Sequence, residues 1–189
     1  MKLAGIPLYL ESRNLYGVSS LLGIGMSKNK ITRGNASQFF VAGELCRRGY
    51  AAVVTMGNTP NTDVLVSNIE GTKFAHVQVK TYVPGKNSTC HVGMKAEKSY
   101  GDQFFWVLSG VPQPDQDAEF EFYVIPSKEM AKQIKREHHL WLATPGRKGE
   151  KHKDNPIRSV GIPPRKGWGG WDISKYKGRW DLIEGVLDI

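Results

Sequence analysis

Asp63, Gln78 and Lys80 are polar residues in two otherwise apolar, β-branched segments, and together they could bind a hard cation beside a phosphate. Mg²⁺ prefers oxygen ligands in octahedral geometry and keeps several of its waters. Asp63 offers a carboxylate, Gln78 an amide carbonyl, and Val79 a backbone carbonyl as a third oxygen. Lys80 could orient or deprotonate the attacking water, or stabilise charge that develops on the phosphate. These parts are the ones that metal-assisted phosphodiester hydrolysis requires.

A β-hairpin is predicted to hold these side chains, with strands over residues 63–68 and 73–82. If its turn is centred in the short loop between the strands, Asp63 lies opposite Gln78. Because strand side chains alternate, Lys80 then projects from the same face as these two. His76 shares that face and could touch a substrate, although such residues are more often plain polar surface. The other face is apolar and would turn to the core: Val64, Val66, Val77 and Val79.

Glu44 could complete the metal site, directly or through a water, from a helix predicted over residues 35–48. Asn35 is expected to cap the start of this helix, and Gly49 to end it in a left-handed conformation. The alternative is that Glu44 simply pairs with Arg48 one turn later on a solvated face. Its apolar neighbours favour the functional interpretation, because a bare carboxylate among them would be costly.

The remaining elements follow from apolar runs and turn residues. Strands are predicted over 51–56, 103–111 and 119–125, and the second of these, being strongly apolar, is expected at the centre of the sheet. A second helix is predicted over 127–142, capped by Ser127. The stretch 84–102 between strands is polar and predicted to be irregular.

The order of these residues resembles the PD-(D/E)XK nuclease superfamily, which includes restriction endonucleases and Holliday junction resolvases. That family's pattern is a helical Glu, an Asp at the start of one strand, and an acid or Gln, any residue and Lys on the next. Glu44, then Asp63, then Gln78-Val79-Lys80 follow this order, over roughly residues 34–82. There are two departures: Thr62 stands where the family has Pro, and Gln78 replaces the usual acid, which removes one negative charge.

The resemblance implies a three-layer α-β-α, restriction endonuclease-like fold with a central mixed sheet and an αβββαβ core. It also implies divalent-metal cleavage of DNA, with Mg²⁺ or Mn²⁺ as the cofactor. Asp63, Gln78 and Lys80 would be catalytic, and Glu44 would support them. Many relatives work as dimers, so a homodimer is a possible assembly.

Positive charge is concentrated towards the C-terminus. The chain has 189 residues and a net charge of +8, which favours a polyanionic partner without deciding the fold. Predicted DNA contacts are Arg147, Lys148, Lys151, Lys153, Arg165 and Lys166, with Trp168 stacking on bases. The alternative is a flexible solvated loop whose tryptophans Trp168 and Trp171 fold back onto the sheet; Trp180 is expected in the core.

The chain divides into an N-terminal extension (1–33), a nuclease-like core (34–144) and a basic, tryptophan-containing C-terminal segment (145–189). No apolar run reaches the roughly 20 residues needed to span a bilayer, and no secretory signal is recognisable. Two cysteines, Cys46 and Cys90, do not make a disulfide framework. These features predict a cytoplasmic protein.

The sequence therefore predicts a divalent-metal-dependent nuclease acting on DNA. A first alternative is a catalytically inactive nucleic-acid-binding module on the same fold, with Gln78 marking the lost activity. A second is an accessory subunit whose partner subunit supplies target choice.

Overall fold

A computed structural model describes residues 30–56 and 59–188. Its α-helices are α1 (Lys30–Arg47), α2 (Ser127–Ala143) and α3 (Asp181–Leu187). Its strands are β1 (Ala51–Val54), β2 (Val64–Ser67), β3 (Phe74–Tyr82), β4 (Thr89–His91), β5 (Phe104–Gly110), β6 (Glu121–Pro126) and β7 (Ser159–Gly161). The predicted N-terminal extension lies almost wholly outside the described residues.

The central sheet is mixed and has the strand order β1-β2-β3-β5-β6. Only the β3–β5 pair is parallel; the other three pairs are antiparallel. Every residue of β5 is buried, as predicted for a strand at the centre of the sheet. A second, two-stranded antiparallel sheet joins β4 to β7.

Two apolar cores lie on opposite faces of the central sheet, because its strands bury side chains on both faces. One core joins the sheet to α1 and α3 through Val41, Leu45, Val77, Val79, Phe105, Trp180, Ile183 and Leu187. The other joins it to α2 and the small sheet through Cys90, Phe104, Trp106, Leu108, Met130, Ile134 and Val160. The three-layer α/β class with a central mixed sheet is confirmed.

The start of α1 differs from the prediction. The helix begins at Lys30 and runs through Asn35, so Asn35 is not its cap. A capping preference is a local effect, typically about 1 kcal/mol. The buried face of α1, formed by Ser37, Val41, Ala42 and Leu45, makes the tertiary contacts along the helix. The C-terminal end of α1 is as predicted, because Gly49 has the left-handed conformation expected of a glycine that ends a helix, with φ 95°.

The order of elements after β3 also differs from the expected αβββαβ core. The connection to the parallel strand β5 contains β4 and a short 3₁₀ turn, Met94–Glu97, rather than an α-helix, and α2 follows β6 instead. The stretch predicted to be irregular therefore contains regular structure. Ser127 is the first residue of α2 rather than its cap, and its hydroxyl accepts a hydrogen bond from the Tyr100 N–H at 2.9 Å.

The segment after residue 144 packs onto both cores. Its strand β7 completes the small sheet, Trp171 and Ile173 lie in the α2-side core, and Trp180 lies in the α1-side core as predicted. Among the described helices, none combines the length and the apolar character that a membrane crossing demands.

Candidate active site on the central sheet

Asp63 lies just before β2, and its side chain contacts that of Gln78 in β3. The last pair of the β2–β3 ladder is Val64 with Val77. The Asp63 N–H donates to the Val77 carbonyl at 2.9 Å, so Val77 lies opposite both Asp63 and Val64, as in a β-bulge. The register within the ladder is the one predicted from the sequence, and the valines of both strands are buried on the opposite face as expected.

The carboxylate of Asp63 is held by two donors from β3. Its Oδ2 accepts a hydrogen bond from the Val79 backbone N–H at 2.7 Å and another from the Gln78 side-chain amide. Gln78 is buried, with 7% of its surface exposed, and lies beside Trp106 of β5 in the sheet. The amide and the carboxylate are therefore fixed against each other in the fold.

Burial raises the pKa of Asp63 above its ordinary value. The Val79 N–H, the charge of Lys80 and the Gln78 amide each act in the opposite direction, but burial is the largest effect. The carboxylate is consequently in a position where its charge is costly, which is common at functional sites.

Lys80 lies two residues after Gln78 on the same face of β3 and is half-buried. Its charge acts on the Asp63 carboxyl and also on the buried thiol of Cys90 in β4, so its amine is near both groups. Within the described part of the chain its ammonium has no hydrogen bond or ion pair. Lys80 is thus a positive charge close to Asp63 and free to meet a ligand.

Lys95 is a second lysine near Asp63, and the sequence analysis missed it. It lies on the 3₁₀ turn Met94–Glu97, and its charge also lowers the pKa of Asp63. The turn is anchored by the ion pair between Glu97 and the buried guanidinium of Arg158. Because that anchor comes from a residue far along the chain, no local pattern could have located Lys95 beside the site.

Glu44 is not brought into contact with the other three residues. It accepts hydrogen bonds from Arg47 at 2.7 Å and from Arg48 at 2.8 Å, and these arginines lower its pKa to about 2. Arg48 also donates to Glu184 of α3 at 2.8 Å. The contacts described for Glu44 are therefore those of the alternative interpretation, an ion pair at the end of α1.

The part of α1 that meets β3 next to the candidate site lies earlier in the helix. Ser37 Oγ accepts a hydrogen bond from Thr81 Oγ1 at 2.8 Å, and Thr81 directly follows Lys80. Glu44 is two helical turns further along, roughly 10 Å along the axis. The helix thus crosses the sheet on the face opposite to Asp63.

The oxygen donors available to a cation are few. No cluster of three or more His, Cys, Asp or Glu side chains occurs in the described residues, so Asp63 is the one carboxylate of the set. In an extended strand the N–H and C=O of one residue point to the same edge. The Val79 carbonyl therefore faces the same edge as the N–H that binds Asp63. One carboxylate, one side-chain amide and one backbone carbonyl suit Mg²⁺, which keeps several waters.

The predicted DNA-contacting residues are all exposed: Arg147, Lys148, Lys151, Lys153, Arg165, Lys166 and Trp168. His76, on the face of Gln78, is exposed, and its Nδ1 lies 3.1 Å from the Thr62 hydroxyl.

Among the predicted DNA contacts, Trp168 has 58% of its surface exposed, whereas Trp171, three residues later, is in the core. Trp168 is therefore exposed, as predicted for a residue that stacks on bases, whereas Trp171 folds back onto the core, as in the alternative interpretation.

The fold is shared with a nuclease. The solved structure of the bacterial homing endonuclease I-Ssp6803I superposes on this chain with a TM-score of 0.50, at 15% sequence identity. The match covers 82% of this chain and 92% of that one. Neither a family model nor a curated protein matches the sequence. A likeness at this level of identity shows the fold, and the chemistry has to be argued from the residues.

Proposed function

We propose that this protein is a divalent-metal-dependent endonuclease that hydrolyses DNA phosphodiester bonds at Asp63, Gln78 and Lys80. The observation that carries the proposal is the contact between the Asp63 carboxylate and the Gln78 amide, with Lys80 two residues further along the same face of β3. The shared fold with a homing endonuclease supports it. The pattern of residues supports membership of the PD-(D/E)XK superfamily.

Asp63, Gln78 and the Val79 carbonyl would hold the metal. The Gln78 amide now donates to Asp63, and a half-turn about its last torsion angle would present its carbonyl oxygen instead. When bound, Mg²⁺ or Mn²⁺ would offset the negative charge of the phosphate and make water a better nucleophile.

Lys80 would bind a non-bridging oxygen of the scissile phosphate or orient the attacking water. The oxygen of a water molecule forms a bond to phosphorus and gives up a proton to the solvent. The bond between phosphorus and one bridging oxygen breaks, and that oxygen leaves and takes up a proton from the solvent. Negative charge grows on the phosphate during this step, and an ammonium fixed in a partly desolvated position stabilises it. Lys95 adds a second positive charge on the same side.

Glu44 has a structural part in this proposal. Through Arg48 it connects the end of α1 to Glu184 of α3, and this pairing holds two helices together on the sheet face opposite the site. A direct or water-mediated role of Glu44 at the metal would require it to leave two arginine partners.

DNA would approach across the exposed basic residues after α2. Their charges bind the phosphate backbone without reading sequence, which gives affinity and orientation. A homodimer or a separate partner subunit could supply a second cutting site or target choice, and both remain predictions.

A non-catalytic DNA-binding module is the second candidate, and the single carboxylate of the site favours it. Removing one acid from a metal site weakens its attraction for a divalent cation. A protein of this kind would bind DNA equally well with and without metal.

Metal binding separates the two candidates. Calorimetric titration with Mn²⁺ should show saturable binding to the wild type, and this binding should be lost in Asp63→Ala. Asp115→Ala, which removes an exposed loop carboxylate, is the matched control and should bind as the wild type does. Equal Mn²⁺ binding by all three proteins would contradict the proposed site.

A further inference from the structure

A cavity of about 420 Å³ lies between α2 and the segment that contains β7 and the glycine-rich stretch around Trp168. Thr89 of β4 is part of its wall, and the next residue, Cys90, is close enough to Lys80 to respond to its charge. The cavity and the candidate active site are therefore on the same face of the central sheet, with β4 between them.

Glu137 is a buried carboxylate in the wall of this cavity, with 6% of its surface exposed. Its Oε2 accepts a hydrogen bond from the Gly169 N–H at 2.7 Å. Its Oε1 is buried and has no hydrogen-bond partner among the described residues. A buried acceptor without a partner is costly, so this oxygen favours a ligand that brings an N–H donor into the cavity.

The backbone around Glu137 fixes the carboxylate in place. A Cβ atom at Gly167 would lie 2.3 Å from its Oε2, and one at Gly169 would lie 2.7 Å from its Oε1. The loop can come this close to the carboxylate because both residues lack a side chain. Glu137 therefore holds the loop that carries Trp168, and its Oε1 stays without a hydrogen-bond partner among the described residues.

Aromatic rings form another wall. Trp141 stacks with His138 and with His152, at centroid distances of 5.6 Å and 4.3 Å. Trp168 touches this group edge-on, with its ring at 89° to that of His152, and is 58% exposed. An exposed indole beside a cavity is a platform on which a flat ligand can stack.

The rim of the cavity is basic. Arg165 and Lys166 line it and are exposed. The Arg165 guanidinium has one long hydrogen bond, 3.4 Å to the Asn87 carbonyl, and Lys166 lies 3.9 Å from Asp172. Both side chains can turn towards a phosphate, which a guanidinium binds with two parallel hydrogen bonds.

We propose that this cavity binds one unstacked nucleobase of the DNA. Trp168 stacks on the base, Glu137 Oε1 accepts a hydrogen bond from an exocyclic amino group, and Arg165 and Lys166 bind the flanking phosphate. This inference rests on the proposed function only in naming DNA as the source of the nucleotide. A base can be read in this way only after it leaves the duplex stack, as in enzymes that extrude a nucleotide.

Binding of a short single-stranded oligo(dA), followed by fluorescence anisotropy in EDTA, tests the proposal without using the metal site. We expect Trp168→Ala to weaken binding about tenfold, within the range measured for loss of one stacked base, and Trp168→Phe to keep most of it. An oligonucleotide of purine nucleotides without the 6-amino group should bind the wild type more weakly than oligo(dA). Glu137→Gln, which keeps an acceptor for Gly169, should reduce that preference.

Equal binding of both oligonucleotides by the wild type, or unchanged binding in Trp168→Ala, would overturn the proposal. Binding of free dAMP is measured in parallel. If Trp168→Ala lost binding to dAMP but kept binding to the oligonucleotide, the cavity would be assigned to a free nucleotide and the proposal would also be overturned. Asp115→Ala, which changes neither the candidate active site nor the cavity, should behave as the wild type throughout, and none of these measurements needs metal or cleavage. Failure of the proposed nuclease activity and failure of this inference are therefore distinguishable.

Discussion

The carboxylate of Asp63, just before β2, accepts a hydrogen bond from the side-chain amide of Gln78 in β3. In the proposed site these two groups would share a cation, with the amide oxygen replacing the amide nitrogen. The same arrangement leaves a partly buried carboxylate with a raised pKa and a free ammonium two residues from the amide.

Replacement of Asp63 by Asn should stabilise the metal-free protein at neutral pH. Burial raises the folded-state pKa of this carboxyl above its unfolded value, so stability falls as the pH rises through that interval. Asn cannot ionise and still offers an acceptor to the Val79 N–H. Thermal melts of both proteins should coincide at a pH below the ordinary Asp pKa and diverge, with the variant more stable, as the pH rises to 7.

Added Mg²⁺ should reverse that order. A ligand that binds only the folded state at 100 times its Kd stabilises by about 2.7 kcal/mol. The wild type should gain stability with Mg²⁺ and the Asn variant should not. A wild type less stable than the variant at every Mg²⁺ concentration would count against the metal site.

Glu44→Gln should change stability slightly and cleavage little. Arg47 and Arg48 lower the pKa of Glu44 to about 2, so its ion pairs stabilise the fold above the ordinary Glu pKa and are lost as the pH falls towards 2. The pairs are partly solvated, so the loss at pH 7 should be about 1 kcal/mol or less. Chemical unfolding at pH 7 and at pH 2.5 measures it. A cleavage rate that falls as far as in Asp63→Ala would instead restore Glu44 to the metal site.

The register of the β2–β3 hairpin could be predicted because every signal for it is local. The turn at Glu70-Gly71 sets which residues pair, and alternating valines set which face is buried. Gly71 has φ 66°, a conformation that favours glycine. The proximity of Asp63, Gln78 and Lys80 therefore follows from signals within one hairpin.

The rest of the site depends on pairings between distant segments. Cys90 pairs with Val160 in the small sheet, and Glu97 forms an ion pair with Arg158. Lys95 is therefore placed near Asp63, and the cavity beside α2 forms, only when two distant segments of the chain meet. Composition likewise does not separate Trp168 from Trp171, which share one glycine-rich stretch. Trp171 is buried because it reaches the α2-side core, whereas Trp168 lies at the cavity and stays exposed.

Gln78→Glu should increase metal affinity and lower the stability of the metal-free protein. A second carboxylate beside Asp63 adds negative charge to the cation site, and without a cation the two charges repel. Mn²⁺ titration should give a lower Kd than in the wild type, and the melting temperature in EDTA should fall. An unchanged Kd would show that residue 78 does not touch the metal.

The triple replacement of Lys148, Lys151 and Lys153 by Ala should reduce DNA affinity and its salt dependence. Each lost phosphate contact lowers the slope of log K against log salt by about 0.9. The control is the triple replacement of Lys128, Lys132 and Lys135, exposed on α2, which removes the same charge. Equal slopes for the two variants would mean that net charge, rather than this segment, governs binding.

The most direct test of the central claim is a plasmid and branched-DNA cleavage assay in Mg²⁺ or Mn²⁺ with wild type, Asp63→Ala and Lys80→Ala. Asp115→Ala and Lys86→Ala, which change exposed loop residues, are matched controls. We expect metal-dependent cutting by the wild type and both controls, none by the two site variants, and DNA binding by all five proteins. Cutting that persists in Asp63→Ala and Lys80→Ala, or no cutting by a wild type that binds DNA, would contradict the claim.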